Sequence, residues 1–269
     1  MPYSTLELIE IFRDTQAALE RDEILAQESC RLRAESRLFL DEYRALYAEK
    51  RGTAAVEVVG DTTFHCAKDF ARAGKHVAVL NFANPYQPGG GVRAGSAAQE
   101  ECLCRASNLY AALTVPYFHR HYYKWNERSA GRMGSDRIIF SPGVTVFKED
   151  ESYAPLDTPF RADVITCAAP YLAETSFAKI GMDKYCETMR RRIANIIETA
   201  KSAQADVLVL GAFGCGAFAN PPETVAKLFY EQLIEQDKAA FFERVVFAIK
   251  KSGADENLRI FRDVFAAQE

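Results

Sequence analysis

Residues 77–110 read VAVLNFANPYQPGGGVRAGSAAQEECLCRASNLY, an order of features that few folds can hold. An apolar run suited to a strand covered on both faces leads into Asn84-Pro85. Three consecutive glycines follow, Gly89, Gly90 and Gly91, then a helix-like segment headed by Glu100 and Glu101. Adjacent glycines cost conformational entropy on folding, so they are kept where the backbone must take positive φ or let something approach closely. Ser96 and Gln99 have the spacing of a capping box, which predicts a helix over 96–113 with both glutamates near its start. A Glu-Glu pair on a helix is ordinarily a solvated surface feature. Beside a glycine loop it becomes a candidate for chemistry.

A second stretch repeats the arrangement. Residues 206–210, DVLVL, predict a buried strand that runs into GAFGCGAFAN and then Pro221-Pro222, with a helix start at Pro222 or Glu223. Strand, glycine loop and helix together place N–H groups around a phosphate at the carboxyl edge of an α/β sheet. The spacing GxxGxG is neither the dinucleotide fingerprint nor a Walker loop. Two such loops after strands of one sheet would wall a cleft at the strands' carboxyl ends, with Phe213 and Phe218 either offering ring faces to a ribose or base or packing in the core.

The remainder of the chain follows an α/β pattern. Residues 4–50 lack internal glycine and proline and carry a loosely helical apolar pattern, predicting two helices packed on the main domain. After Gly52, candidate strands at 55–59, 77–82, 137–140, 144–147, 162–168, 206–210 and 245–249 alternate with helices at 62–73, 96–113, 182–202, 223–236 and 255–266. This predicts a three-layer α/β/α fold with a mostly parallel or mixed central sheet, divided into an N-terminal helical extension, 1–52, and a main domain, 53–269. Residues 115–133 are crowded with Tyr, Phe, His and Trp and are expected to be a long loop, either walling a pocket or pinned to the core by its own aromatics.

Composition narrows the function. A formal net charge of -4 argues against general nucleic-acid binding, including duplex binding, while leaving room for a small anion held by backbone amides. Seven scattered cysteines without a C-x-x-C pair suggest reduced thiols and a cytoplasmic protein, with the nucleus open for a eukaryotic source. His119 and His121 lack an acidic or Cys partner at a diagnostic spacing, so no metal and no cofactor are expected. The chain shows no leader and no membrane-length apolar run.

The triple glycine, the seven residues from Val92 to Ala98, and Gln99-Glu100-Glu101 resemble the signature of the bacterial-type poly(ADP-ribose) glycohydrolases of the macrodomain superfamily; GAFGCGAF matches their second loop. The resemblance covers roughly residues 56–266. It implies a macrodomain with ADP-ribose, or poly(ADP-ribose) that can be attached to protein, lying across the strands' carboxyl ends. Glu101 would be the catalytic acid/base, Glu100 would hold a hydroxyl of the scissile ribose, and Asn84 would contact the same sugar. Gly89, Gly90 and Gly91 would let the backbone close on the distal ribose and diphosphate, with Gln99 beside them. Gly214, Cys215, Gly216 and Ala217 would give N–H groups to the diphosphate, and Phe218 would order the terminal ribose. The implied activity is hydrolysis of ribose–ribose O-glycosidic bonds from chain ends. Removal of single ADP-ribose units and non-catalytic ADP-ribose binding are the alternatives.

Overall fold

The computed structural model describes residues 3–40, 49–52, 54–128, 133–173, 177–251 and 256–266. Its centre is a seven-stranded mixed sheet in the order β1-β4-β5-β3-β6-β7-β2. The strands are β1 (Arg37–Phe39), β2 (Ala55–Val59), β3 (Val77–Phe82), β4 (Ile138–Lys148), β5 (Pro155–Cys167), β6 (Val207–Leu210) and β7 (Arg244–Ala248). From β5 through β3, β6 and β7 to β2 all pairings are parallel, whereas β4 runs antiparallel to β5 and β1 antiparallel to β4. The five parallel strands therefore end along one edge.

Helices cover both faces, giving the three layers expected. They are α1 (Thr5–Arg21), α2 (Glu23–Glu35), α3 (Thr63–Arg72), α4 (Gln99–Ala106), α5 (Leu109–Leu113), α6 (Pro116–Phe118), α7 (Lys124–Glu127), α8 (Phe177–Ile180), α9 (Met182–Ser202), α10 (Pro222–Tyr230) and α11 (Glu256–Ala266). Side chains of the central strands alternate between two cores, as the two-residue period of a strand requires. Ala78, Leu80, Leu208, Leu210, Val245 and Phe247 pack with α9, α10 and α11 through Met189, Ile193, Phe229 and Phe261. Val77, Val79, Val207, Val209 and Val246 pack on the other face with Phe12, Leu32, Phe64, Leu103 and Leu109.

Several elements differ from the sequence expectation for identifiable reasons. The helical pattern predicted for 4–50 stops at Glu35, and Arg37–Phe39 instead pairs with Phe140, Ile139 and Ile138 of β4; residues 41–48 lie outside the described residues. The strands expected at 137–140 and 144–147 are one strand, with a register shift at Pro142-Gly143 where Gly143 takes φ +59°. The strand expected at 162–168 begins earlier, at Pro155.

The single helix predicted over 96–113 is two helices. Ser107 turns to extended backbone and bridges Val146, while Asn108 exchanges bonds with Thr145 through its N–H and its Oδ1, so pairing with β4 interrupts the helix. The capping box is also absent: α4 starts at Gln99 after Ala98, and Ser96 lies outside it. Residues 115–128, expected as a long loop, are instead wound into α6, a π-turn at His119–Tyr123 and α7, with Phe118, Tyr122 and Tyr123 buried. Of that expected loop, 129–132 lie outside the described residues.

Candidate active site

Along the carboxyl edge of the parallel strands runs a cleft of about 350 Å³. Phe82 at the end of β3 and Ala83 just after it line the cleft, together with Ala98 and Gln99 and with Gly214, Gly216, Ala217 and Phe218. Asp61, Thr62 and Asp150 line it as well. The second glycine loop and the start of α4 thus share this cleft, whereas Asn84, Gly89, Gly90, Gly91, Glu100 and Glu101 do not line it.

The start of α4 is held against β3 by the Gln99 amide rather than by a cap. Its Oε1 accepts from Phe82 N–H at 2.8 Å, and its Nε2 donates to Leu80 O at 2.7 Å and Thr63 Oγ1 at 3.0 Å. With α4 fixed there, the next two side chains turn inward, and Glu100 is 2% and Glu101 6% exposed. Glu100 Oε2 accepts from Asn84 N–H at 2.7 Å and Oε1 from Asn81 Nδ2 at 3.2 Å. Burial pushes the Glu100 carboxyl up to about 8; the Asn84 N–H opposes this and the neighbouring Glu101 charge adds to it. Glu101 Oε1 accepts from Gly91 N–H at 2.8 Å, and its Oε2 is buried with no hydrogen-bond partner.

Gly90 explains the triple glycine in part. It has φ +56°, and a Cβ built on it would lie 2.3 Å from Glu101 Oε1 and 3.3 Å from Glu100 Oε2. The residue must therefore be glycine so that the loop can close over the carboxylates. Asn84 begins a side-chain-capped turn, its Oδ1 accepting from Tyr86 and Gln87 N–H at 2.8 and 3.0 Å.

In the second loop, Gly214 takes φ +75°, and a Cβ there would lie 2.5 Å from both Ala169 Cβ and Asn220 Nδ2. Asn220 ties the loop down by donating to Pro170 O at 2.9 Å and Gly214 O at 3.0 Å. The N–H groups of Gly214, Gly216, Ala217 and Phe218 make no hydrogen bond among the described residues, whereas Cys215 N–H donates to Ala212 O at 3.1 Å. Unbonded amides on a glycine turn are the kind of donor set that can hold an anion. Phe218 is half-buried and sits edge-on to Tyr171, their ring centres 5.0 Å apart, while Phe213 is fully buried against Phe82 and belongs to the core.

Three residues that sequence reasoning passed over support this site. Asn81 links Glu100 to Thr166, donating to Thr166 Oγ1 at 3.1 Å; the signal available was one polar residue inside the apolar run VAVLNF. Asn220 is the second. Arg105 is the third: it is fully buried, donating to Leu8 O at 3.0 Å, Ser96 O at 2.6 Å and Val92 O at 3.4 Å, and thereby fastens the first glycine loop to α1. Among the described residues no group of His, Cys, Asp or Glu is clustered to hold a metal ion, and no helix is long and apolar enough to cross a membrane.

A family model described as "Microbial-type PARG, catalytic domain" matches residues 4–149, a span that includes α1 and α2. The solved structure of poly(ADP-ribose) glycohydrolase (PARG) from Thermomonospora curvata is 31% identical, covering 96% of this chain and 99% of that chain, with a TM-score of 0.86. The same protein bound to the inhibitor ADP-HPD matches at 31% identity and TM-score 0.86, over 96% of this chain and 98% of that one. PARG from Deinococcus radiodurans in complex with ADP-ribose is 32% identical over 89% of this chain and 97% of that chain, with a TM-score of 0.78. No curated protein matches the chain.

Proposed function

Because the chain belongs to the microbial-type poly(ADP-ribose) glycohydrolase family, we propose that it hydrolyses the ribose–ribose O-glycosidic bond of poly(ADP-ribose) and releases ADP-ribose, with Glu101 as acid and base. The observation that carries this assignment is the state of the Glu101 carboxyl. One oxygen is fixed by Gly91 N–H, and the other is buried without a partner beside Glu100.

Glycoside cleavage needs a proton on the leaving oxygen and a base for the attacking water, through an oxocarbenium-like transition state. Glu101 Oε2 gives its proton to the leaving ribose oxygen as the C–O bond breaks. It then takes one from the water that adds to the anomeric carbon, which returns the enzyme to its starting state. Glu100, pushed up to about 8 by burial, is largely neutral at pH 7; anchored by Asn84 N–H and Asn81, it orients a hydroxyl of the scissile ribose. In this reading Asn84 contacts the same sugar, its Oδ1 being held by the Tyr86 and Gln87 N–H groups. Gly214, Gly216, Ala217 and Phe218 offer their N–H groups to the diphosphate, whose charge next to the anomeric carbon stabilises the developing cation. Cys215 shapes that turn through its bond to Ala212, and Gln99 holds the glutamates at the sugar end.

A cleft of about 350 Å³ lies within the roughly 300–1,000 Å³ typical of small-ligand sites, and cleavage from chain ends is carried with the family reading. The division into an extension, 1–52, and a catalytic unit, 53–269, is carried with this reading. All seven cysteines are free, in keeping with a reducing cytoplasm. The test is to incubate the protein with labelled polymer and with mono-ADP-ribosylated protein and to measure the ADP-ribose released. Release from polymer is expected; binding without release from either substrate would overturn the enzymatic reading.

A further inference from the structure

Beside the first glycine loop lies a second recess, lined by Pro88, Thr114, Pro116, His119 and Arg120, that shares no lining residue with the main cleft. Pro88 is two residues from Gly90, hence within about 7 Å of it along the chain. The backbone of Gly90 in turn touches the Glu101 carboxylate. With Glu101 at the scissile bond, as proposed above, the recess lies within reach of that bond and apart from the main cleft.

Its chemistry is unlike the rest of the surface. The protein as a whole carries a formal charge of -4, yet residues 115–128 hold Arg120, Lys124 and Arg128 against the single acid Glu127. Glu127 is paired with Lys124 at 2.9 Å, and Arg120 has no ion-pair partner among the described residues. Beside the recess, Tyr117 is 50% exposed and lies nearly face to face with His121, ring centres 4.4 Å apart and 32° from parallel. A free guanidinium next to an open aromatic face matches a nucleoside diphosphate, the first binding the phosphates and the second stacking on the base.

We propose that this recess docks the polymer on the leaving side of the scissile bond, Arg120 holding the diphosphate of the next ADP-ribose unit and Tyr117–His121 stacking its adenine. The proposal rests on the glycohydrolase reading and adds to it a physical basis for preferring polymer over a single unit. A single ADP-ribose on a protein side chain fills the main cleft and has nothing to place in the recess. A polymer fills both.

The test compares wild type with Arg120→Ala and Tyr117→Ala on two substrates: labelled polymer, and ADP-ribose attached singly to an uncharged peptide. Polymer kcat/KM is expected to fall roughly five- to tenfold in each variant, mainly through KM, with a shallower salt dependence for Arg120→Ala because a phosphate contact is lost. Cleavage of the single-unit substrate, affinity for free ADP-ribose and the melting temperature are expected to stay within about twofold or about 2 °C of wild type, as for an exposed surface substitution. Equal losses on both substrates, or no loss on polymer, would overturn the recess assignment while leaving the glycohydrolase reading intact. Failure of wild type to release ADP-ribose from polymer would overturn the glycohydrolase reading, and the recess assignment with it.

Discussion

Replacing Glu100 by Gln should make the protein more stable in mild alkali and leave it unchanged in acid. Burial raises the Glu100 carboxyl from an ordinary 4.5 to about 8 in the folded protein. Below pH 4.5 both folded and unfolded chains hold this proton, and the group adds no pH dependence. Between 4.5 and about 8 only the folded chain holds it, so wild-type stability falls steadily as pH rises, and above 8 the loss is complete. At about 1.4 kcal/mol per pH unit the interval sets a ceiling of about 5 kcal/mol. Relaxation and water entry around a buried charge bring the realistic figure down to roughly 3 kcal/mol.

Glutamine mimics the protonated acid. Its oxygen can accept from Asn84 N–H, and its amide can donate to Asn81 once the Asn81 amide turns over to present Oδ1, buried without a donor in the wild type, in place of Nδ2. Thermal melts of both proteins from pH 5 to 9 would read the difference. At 2–4 °C per kcal/mol for a chain of about this size, the variant should melt roughly 6–12 °C above wild type at pH 9 and within about 2 °C of it at pH 5. Parallel melting curves across that range would refute the inference that the folded protein holds a proton on Glu100.

Three further substitutions probe the same framework. Glu101→Gln should lower kcat for ADP-ribose release by about 10²–10⁴-fold while leaving ADP-ribose affinity, read by calorimetry, within about threefold, because general acid catalysis acts in the transition state; a matching loss of affinity would argue against the role. Gly90→Ala places a methyl group 2.3 Å from Glu101 Oε1 on backbone at φ +56°. It should cost about 1–2 kcal/mol in a urea titration from the left-handed backbone alone and cut kcat at least tenfold as the carboxylate is displaced; wild-type kcat would show that the loop closes differently. Arg105→Met strips three carbonyl groups of their donor and should destabilise the protein by roughly 3 kcal/mol, with early proteolytic cleavage within α1, whereas an unchanged urea midpoint would contradict the bracing role.

Much of the fold was legible because its strands are short, continuous and apolar: the bounds of β2 and β3 coincide with the runs at 55–59 and 77–82, and α9 spans 182–202 as its periodicity indicates. Elements decided by distant partners were not legible. β1 has only three residues and is a strand because β4 offers it an edge, and the break between α4 and α5 exists because Ser107 and Asn108 pair with β4. At the site, both glycine loops and the glutamate pair announced themselves through composition. The purpose of Gly90 did not, because the atom it must avoid belongs to a side chain eleven residues further on. Arg105 reads as a surface helix residue until α1 is docked against it, since its acceptors are backbone carbonyls that have no sequence signature.

That docking has a consequence for how the protein is made. The bonds from Arg105 to Leu8 and from Thr15 to Arg105 span 97 and 90 residues. Helix α1 leaves the ribosome well before α4, and its apolar stripe must wait for about a hundred more residues, roughly 5–20 s at ordinary rates of synthesis, before its partner exists. Only at the end of that wait does the growing chain carry its triple glycine and both glutamates, and it then still lacks the brace that shapes them. Competence to handle ligand is thus set by the meeting of an early segment with a much later one, and α1 serves the nascent chain as a latch that only correct long-range closure can engage.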